Sequence, residues 1–359
     1  MVESEGSVPA LRDLLTLISN EFRLADVPDS TGAANGLQIL TPQGLEQSVK
    51  LVATSTDASL DVIETAIEMG AALLISHHGL CWTLRGLPLP TVTGEDGHNI
   101  SHPEAKRVSA ALTGGLNVVG LHLPLDAHPR LGNNIRLALE LGLEPLDWFR
   151  ATAGRAQPQI ELGASELIAQ PSSLSAGTSV EITPVPFGAP DASATAAAGE
   201  SEWPPIEWDD SGVRGTICIA LRCRVPAVAA GRQPTRREMH ERLEMILATD
   251  QVSWSHCQLF PGDNEVSDNM GVRTVAICTG AAGGEVLTAA AEGCDLLISG
   301  EAPAHAALHA AESNCGLLLG GHHATETVGP RAVAEWLNTS AEQLGWNLKT
   351  RFISAPTGL

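Results

Sequence analysis

Residues 52–76 and 275–299 are close to being one segment written twice. Aligned without a gap, eleven of the 25 positions are identical: Val52, Ala53, Thr56, Ala58, Thr65, Ala66, Gly70, Leu73, Leu74, Ile75 and Ser76 match their counterparts. Both copies end in Leu-Leu-Ile-Ser. In the first copy, 49–54 and 72–75 are short apolar runs that read as strands, and 59–69 has helical spacing. A strand–helix–strand unit of this length joins parallel strands by a helix lying on the sheet. Two such units predict an α/β fold of two related halves, an internal duplication with mainly parallel sheets.

The remaining segments extend this alternation. Ser7-Val8-Pro9 opens a helix with Leu11, Leu14, Leu15, Ile18 and Phe22 on one face. Residues 103–113 read as a helix, 116–121 as a strand and 133–142 as a helix, with a Gly- and Pro-rich loop from Gly79 to about His102. These place the first α/β half at 1–150. An insertion follows at 151–270. Its first part, 151–212, is rich in Ala, Ser, Pro and Gly and reads as loosely ordered. Its second part, 213–270, reads as a small ordered unit with a strand at 216–221 and a helix at 235–248. Alternation resumes at Val272, so the second half is placed at 271–359.

Composition narrows the partners. Asp and Glu number 42 against 21 Lys and Arg, a net charge of −21. A surface this acidic repels phosphate backbones and anionic lipids, which excludes sequence-independent nucleic-acid binding. With no Tyr, 7 Trp and 5 Phe, the chain has little from which to build base-stacking platforms. No apolar run approaches membrane-spanning length, and the N-terminus lacks a basic stretch followed by an apolar one. The seven cysteines are odd in number and contain no Cys-x-x-Cys, a pattern expected of reduced, mostly buried thiols in a cytoplasmic protein.

Polar groups gather just past the strands. His77 and His78 follow the first Leu-Leu-Ile-Ser, and Glu301 and His305 follow the second. His122 and Asp126 follow the strand at 116–121; His322, His323 and Glu326 follow the apolar run at 317–320. In parallel α/β sheets, ligands collect outside the carboxyl ends of strands. Neutral imidazole with carboxylate is the donor set of Zn, Mn, Fe, Co or Ni. On a regular strand His77 and His78 would face opposite ways; at a strand end both can reach one cavity. His322 and Glu326 share a face if the chain is helical there, whereas a helix starting near Thr325 would put Glu326 in its first turn. His323 reads as supporting the site. His98, His102, His128, His240 and His256 read as surface or structural groups. No Walker loop or Gly-x-Ser-x-Gly is present, and the glycines of CTGAAGGE at 278–285 lack a dinucleotide fingerprint.

Several of these segments match one family together. They are Asn35-Gly-Leu-Gln38, Ile75-Ser-His-His-Gly-Leu-Cys-Trp82, Leu121-His-Leu-Pro-Leu-Asp-Ala-His-Pro129, Gly132-Asn-Asn134, Cys278-Thr-Gly-Ala-Ala282, Ile298-Ser-Gly-Glu301 and Gly321-His-His-Ala-Thr-Glu326. The chain resembles the GTP cyclohydrolase 1 type 2 homologue family, the dinuclear-metal proteins of the YbgI type. The resemblance covers about 1–145 and 271–359. It implies two divalent ions held by His77, His78, Asp126, His322 and Glu326, with Glu326 as the bridge. It implies His122 as a nearby acid–base group, and a homohexamer with sites facing an interior cavity. The long insertion and the text after Ile-Ser-Gly-Glu depart from the family pattern and bear on substrate-facing details.

The function expected on this basis is a metal-dependent hydrolase acting on a small molecule, a nucleotide-like or cyclic amide substrate. The alternative is a non-catalytic protein that stores, senses or delivers metal.

Overall fold

The computed structural model describes residues 6–30, 33–80, 92–93, 99–100, 103–155, 202–210, 214–228, 231–248, 257–262 and 265–357. Most of the loop expected at 79–102, most of the Ala- and Ser-rich tract, and His98, His102 and His256 lie outside the described residues.

The chain begins with α1 (Leu11–Glu21), β1 (Gly36–Ile39), β2 (Leu51–Ser55), α2 (Leu60–Glu68), β3 (Leu73–Ser76) and a two-residue pairing of β4 (Val92–Thr93) with β5 (Asn99–Ile100). Next come α3 (Pro103–Gly114), β6 (Asn117–Gly120), α4 (Leu123–Asp126), α5 (Asn133–Glu140) and β7 (Glu144–Arg155). Then follow β8 (Ile206–Trp208), β9 (Arg214–Arg224), α6 (Arg236–Leu247), β10 (Gln258–Phe260), α7 (Glu265–Asp268) and β11 (Thr274–Cys278). The chain ends with α8 (Val286–Ala291), β12 (Leu296–Ser299), α9 (Ala304–Glu312), β13 (Gly316–Leu319), α10 (His322–Thr325), α11 (Val328–Leu344) and β14 (Lys349–Phe352).

The protein is a mixed α/β structure built on two sheets. The first has the order β1-β6-β3-β2-β14, all parallel except β1. The second has the order β10-β13-β12-β11-β9-β7, with β8 on β9; its centre, β11 to β13, is parallel and its flanks are antiparallel. The two aligned segments have the same ladder register. Val52 pairs with Leu73 and Ser55 with Ser76, while Val275 pairs with Leu296 and Cys278 with Ser299. The second ladder is thus the first displaced by the sequence offset. The shared feature is the glycine after the helix, Gly70 at φ +79° and its counterpart Gly293 at φ +76°; α2 alone is also capped by Ser59, which accepts from the Val62 amide.

Two expected boundaries differ from the structure. The segment 213–270, expected as a separate small unit, is part of the second sheet. β9 lines the edge of β11, and Met239, Leu243 and Leu247 of α6 share a core with Val275, Leu296 and Leu318. Val275, Ala276 and Ile277 are fully buried, so β11 needs cover on both faces and a partner on its open edge. The end of the expected second half also departs. α11 and β14 close the first sheet: β14 pairs with β2, and Ala332, Val333, Trp336 and Leu337 pack with Leu11, Leu14, Val52 and Leu73. The apolar face of α1, read from its spacing, lies in this core. No helix among the described residues is long and apolar enough to cross a membrane.

Candidate metal centre

Three strand ends meet at one point. The ladder of β2 with β3 continues past β3: the amides of His77 and His78 donate to the carbonyls of Ser55 and Thr56. Yet both rings reach the same carboxylate. His77 Nε2 lies 3.7 Å and His78 Nε2 3.0 Å from Oε2 of Glu326. From β6, His122 caps the short helix α4, whose last residue is Asp126; Asp126 Oδ1 lies 3.7 Å from His77 Nε2. After β13, Gly321 at φ +90° turns the chain into α10, which starts at His322 rather than near Thr325 and has Glu326 as its C-cap. His322 Nε2 therefore comes to 3.2 Å from Glu326 Oε2. The six residues singled out from sequence all enter this cluster.

Two groups have ligand atoms within 4.8 Å of one another: His77, His122 and Asp126, and His77, His78 and Glu326. The imidazoles are wired alike. Nδ1 meets the Leu121 carbonyl in His77 (3.0 Å), Asp57 Oδ1 in His78 (2.7 Å), Asp29 Oδ1 in His122 (2.8 Å) and Glu301 Oε1 in His322 (2.9 Å). An oxygen acceptor on Nδ1 fixes the tautomer and turns Nε2 inward, the usual outer support of a metal-binding histidine. Asn133 donates to Asp126 Oδ1 at 2.9 Å and accepts from the Gly329 amide, tying the first sheet's ligand to α11.

Charge is concentrated at Glu326. Burial opposes its ionisation, but the close imidazoles of His77, His322 and His78 hold its carboxyl well below the usual range. Burial also opposes charge on His78, but the hydrogen bond to Asp57 and the nearby Glu326 carboxylate hold it up to about 10. The nearby Glu326 carboxylate raises His322 to about 9, against burial. Burial, with the Glu326 charge adding to it, raises Asp126 despite His77. His122 is raised because Asp29 outweighs burial. His78, His122 and His322 thus favour their protonated forms relative to a free imidazole.

The donor set fits a divalent metal. Glu326 Oε2 is buried within 3.7 Å of three imidazole nitrogens, but it has no well-formed hydrogen bond to any of them. An oxygen so placed suits a metal ligand. Room is kept for it: a Cβ at Gly280 would stand 2.2 Å from Glu326 Oε1. The glycine-containing loop after β11, weak as a nucleotide signal, lines the metal site instead.

The other histidines are elsewhere. His323 is adjacent, with Nδ1 on Asp57 Oδ2 at 2.7 Å. His128 pairs with Glu21, His240 meets the Cys257 carbonyl, and His305 packs on His309. Asp29, Asp57, Asn133 and Gly280 were not picked out as site residues on their own chemistry. Asp29 gave no local signal. Asp57 did give one: it lies just past the carboxyl end of β2, where α/β sheets place their sites.

The profile of the Duf34/NIF3 (NGG1p interacting factor 3) family matches residues 10–358. A GTP cyclohydrolase 1 type 2 homolog of Halobacterium salinarum is 30% identical, with 97% of this chain and 98% of the relative aligned. Another, from Neisseria meningitidis serogroup B, is 31% identical over 93% and 94%. The solved structure of protein ybgI, described as of unknown function, superposes with a TM-score of 0.61 at 25% identity, covering 98% of this chain and all of that one. A Bacillus cereus protein related to NIF3 shares the fold at 15% identity, with a TM-score of 0.62 and 98% of both chains covered.

Proposed function

The chain belongs to the Duf34/NIF3 family, and on that premise we propose that it binds two divalent metal ions and acts as a metal-dependent hydrolase. The observation that carries the reading is Glu326 Oε2 facing three imidazole nitrogens without a hydrogen bond to any. In this reading His77, His78, Asp126, His322 and Glu326 would hold the two ions. Such ions supply positive charge that polarises a substrate oxygen or carbon and acidifies water. His122 holds its Nδ1 proton on Asp29, so proton exchange with the substrate falls to Nε2. The relatives' name, GTP cyclohydrolase 1 type 2 homolog, supports a nucleotide-like substrate, with a cyclic amide as the wider class tested. The resemblance further supports a cytoplasmic homohexamer.

The test is metal analysis of the purified protein followed by a hydrolysis panel of nucleotides and cyclic amides. Two equivalents of metal, with turnover lost in Glu326→Ala, support the hydrolase. Two equivalents with no turnover on any substrate favour a protein that stores, senses or delivers metal. Absence of stoichiometric metal uptake rejects both.

A further inference from the structure

We propose that Asp57 is a positioning residue that joins the two halves of the metal centre, aiming His78 with one carboxylate oxygen and anchoring α10 through His323 with the other. The inference rests on the metal reading above. Asp57 lies in the loop between β2 and α2, within the first sheet's half. Its Oδ1 is 2.7 Å from His78 Nδ1 and its Oδ2 is 2.7 Å from His323 Nδ1. His323 belongs to α10, between His322 and Glu326. The same loop makes a second link across the halves: Thr56 Oγ1 donates to the Glu326 carbonyl at 3.4 Å.

His323 has no other visible task. It is 4% exposed, and among the described residues it belongs to neither close ligand group and its Nε2 has no hydrogen-bond partner. A buried imidazole with a single hydrogen bond is costly unless that bond does something. Here the bond holds the turn that carries His322 and Glu326.

The geometry makes Asp57 selective between the two ligand groups. His78 depends on it directly and His322 through α10, and both serve only one of the two ions; Glu326, shared by both, is also held through its carbonyl by Thr56. His77 is fixed by the Leu121 carbonyl and Asp126 by Asn133; neither of these contacts involves Asp57. Loss of an outer partner of a metal-binding histidine costs about 10–100-fold in affinity. That loss should fall on one ion.

The experiment titrates Co²⁺ into metal-free wild-type, Asp57→Ala, His323→Ala and His323→Asn proteins, followed by calorimetry and visible absorption. Wild type should take two ions. Asp57→Ala and His323→Ala should keep one at wild-type affinity and weaken the other about 10–100-fold. His323→Asn, whose amide can still donate to Asp57, should recover most of the loss. Two ions at wild-type affinity in either alanine variant overturn the proposal, as does equal weakening of both ions. If Asp57→Ala does not fold, His323→Ala decides by the same criterion. A wild type that takes fewer than two ions overturns the dinuclear reading itself, and this inference with it, which separates the two failures.

Discussion

Oε2 of Glu326, at the end of α10, lies 3.0 Å from Nε2 of His78, at the end of β3. The contact joins the two sheets at the point where His77 and His322 also converge on the same oxygen. In the proposed two-ion reading, removing this carboxylate takes a ligand from each ion. Glu326→Ala should therefore lose both ions, whereas His122→Ala should keep them and lower turnover by about 10²–10⁴-fold, the loss of a proton-transfer group. Metal content and rate should be measured on the same preparations. If His122→Ala loses its metal and Glu326→Ala retains it, the two roles are reversed.

Metal uptake should depend on pH in a predictable direction. His78 and His322 are raised from 6.5 to about 10 and about 9 in the metal-free protein. Between 6.5 and those values the folded chain binds more protons than the unfolded one. Their stabilising contribution is complete below pH 6.5 and is lost as pH rises through about 9 to 10. Metal must displace these protons, so apparent affinity should climb from pH 6.5 upward, with about two protons released near pH 7.5. Calorimetric titrations in buffers of different protonation enthalpy measure that release. Thermal unfolding of metal-free protein between pH 7 and 10 measures the stability loss. A pH-independent affinity would contradict the assignment.

Gly280→Ala should disable the centre from the floor upward. The new Cβ would lie 2.2 Å from Glu326 Oε1, and the backbone, at φ +68°, is strained for any residue with a side chain. The strain should cost about 1–3 kcal/mol of stability. The larger effect should be displacement of Glu326 and loss of metal from protein that remains folded. Unchanged metal affinity would show that the carboxylate can move without consequence.

The Ala- and Ser-rich tract should be dispensable for metal binding. It supplies no histidine between 151 and 212. The cut must stop at about residue 201, because Trp203 and Ile206 pack with Val27 and Leu123 next to His122. Replacing residues 156–201 by a short Gly/Ser linker should leave metal content near wild type. Loss of both ions from a folded deletion protein would give the tract a part in the site.

The sequence by itself determined the local elements and which residues stand at their ends. Val52 to Ser76 and its repeat carry the strand and helix periodicities within a few residues of one another, so the ladder register of β2 with β3 and of β11 with β12 was already implicit. His77 and His78 follow an apolar strand directly, and Asp126, His322 and Glu326 come within a short turn of one, which placed them near carboxyl ends before any contact was known. Periodicity reports which face of an element is buried, not what buries it. Only tertiary structure decided that β14 pairs with β2, that β9 lines β11, and that α11 closes the first core. The same limit hid the roles of Asp29 and Asp57, although the place of Asp57 past β2 was legible. Each is an isolated carboxylate whose role depends on an imidazole far along the chain, His122 in one case and His78 with His323 in the other. Gly280 and Asp57 occupy equivalent positions in the repeat, yet one clears space for Glu326 and the other grips two histidines. That difference is created by what packs opposite each turn, information that exists only once the two sheets have come together.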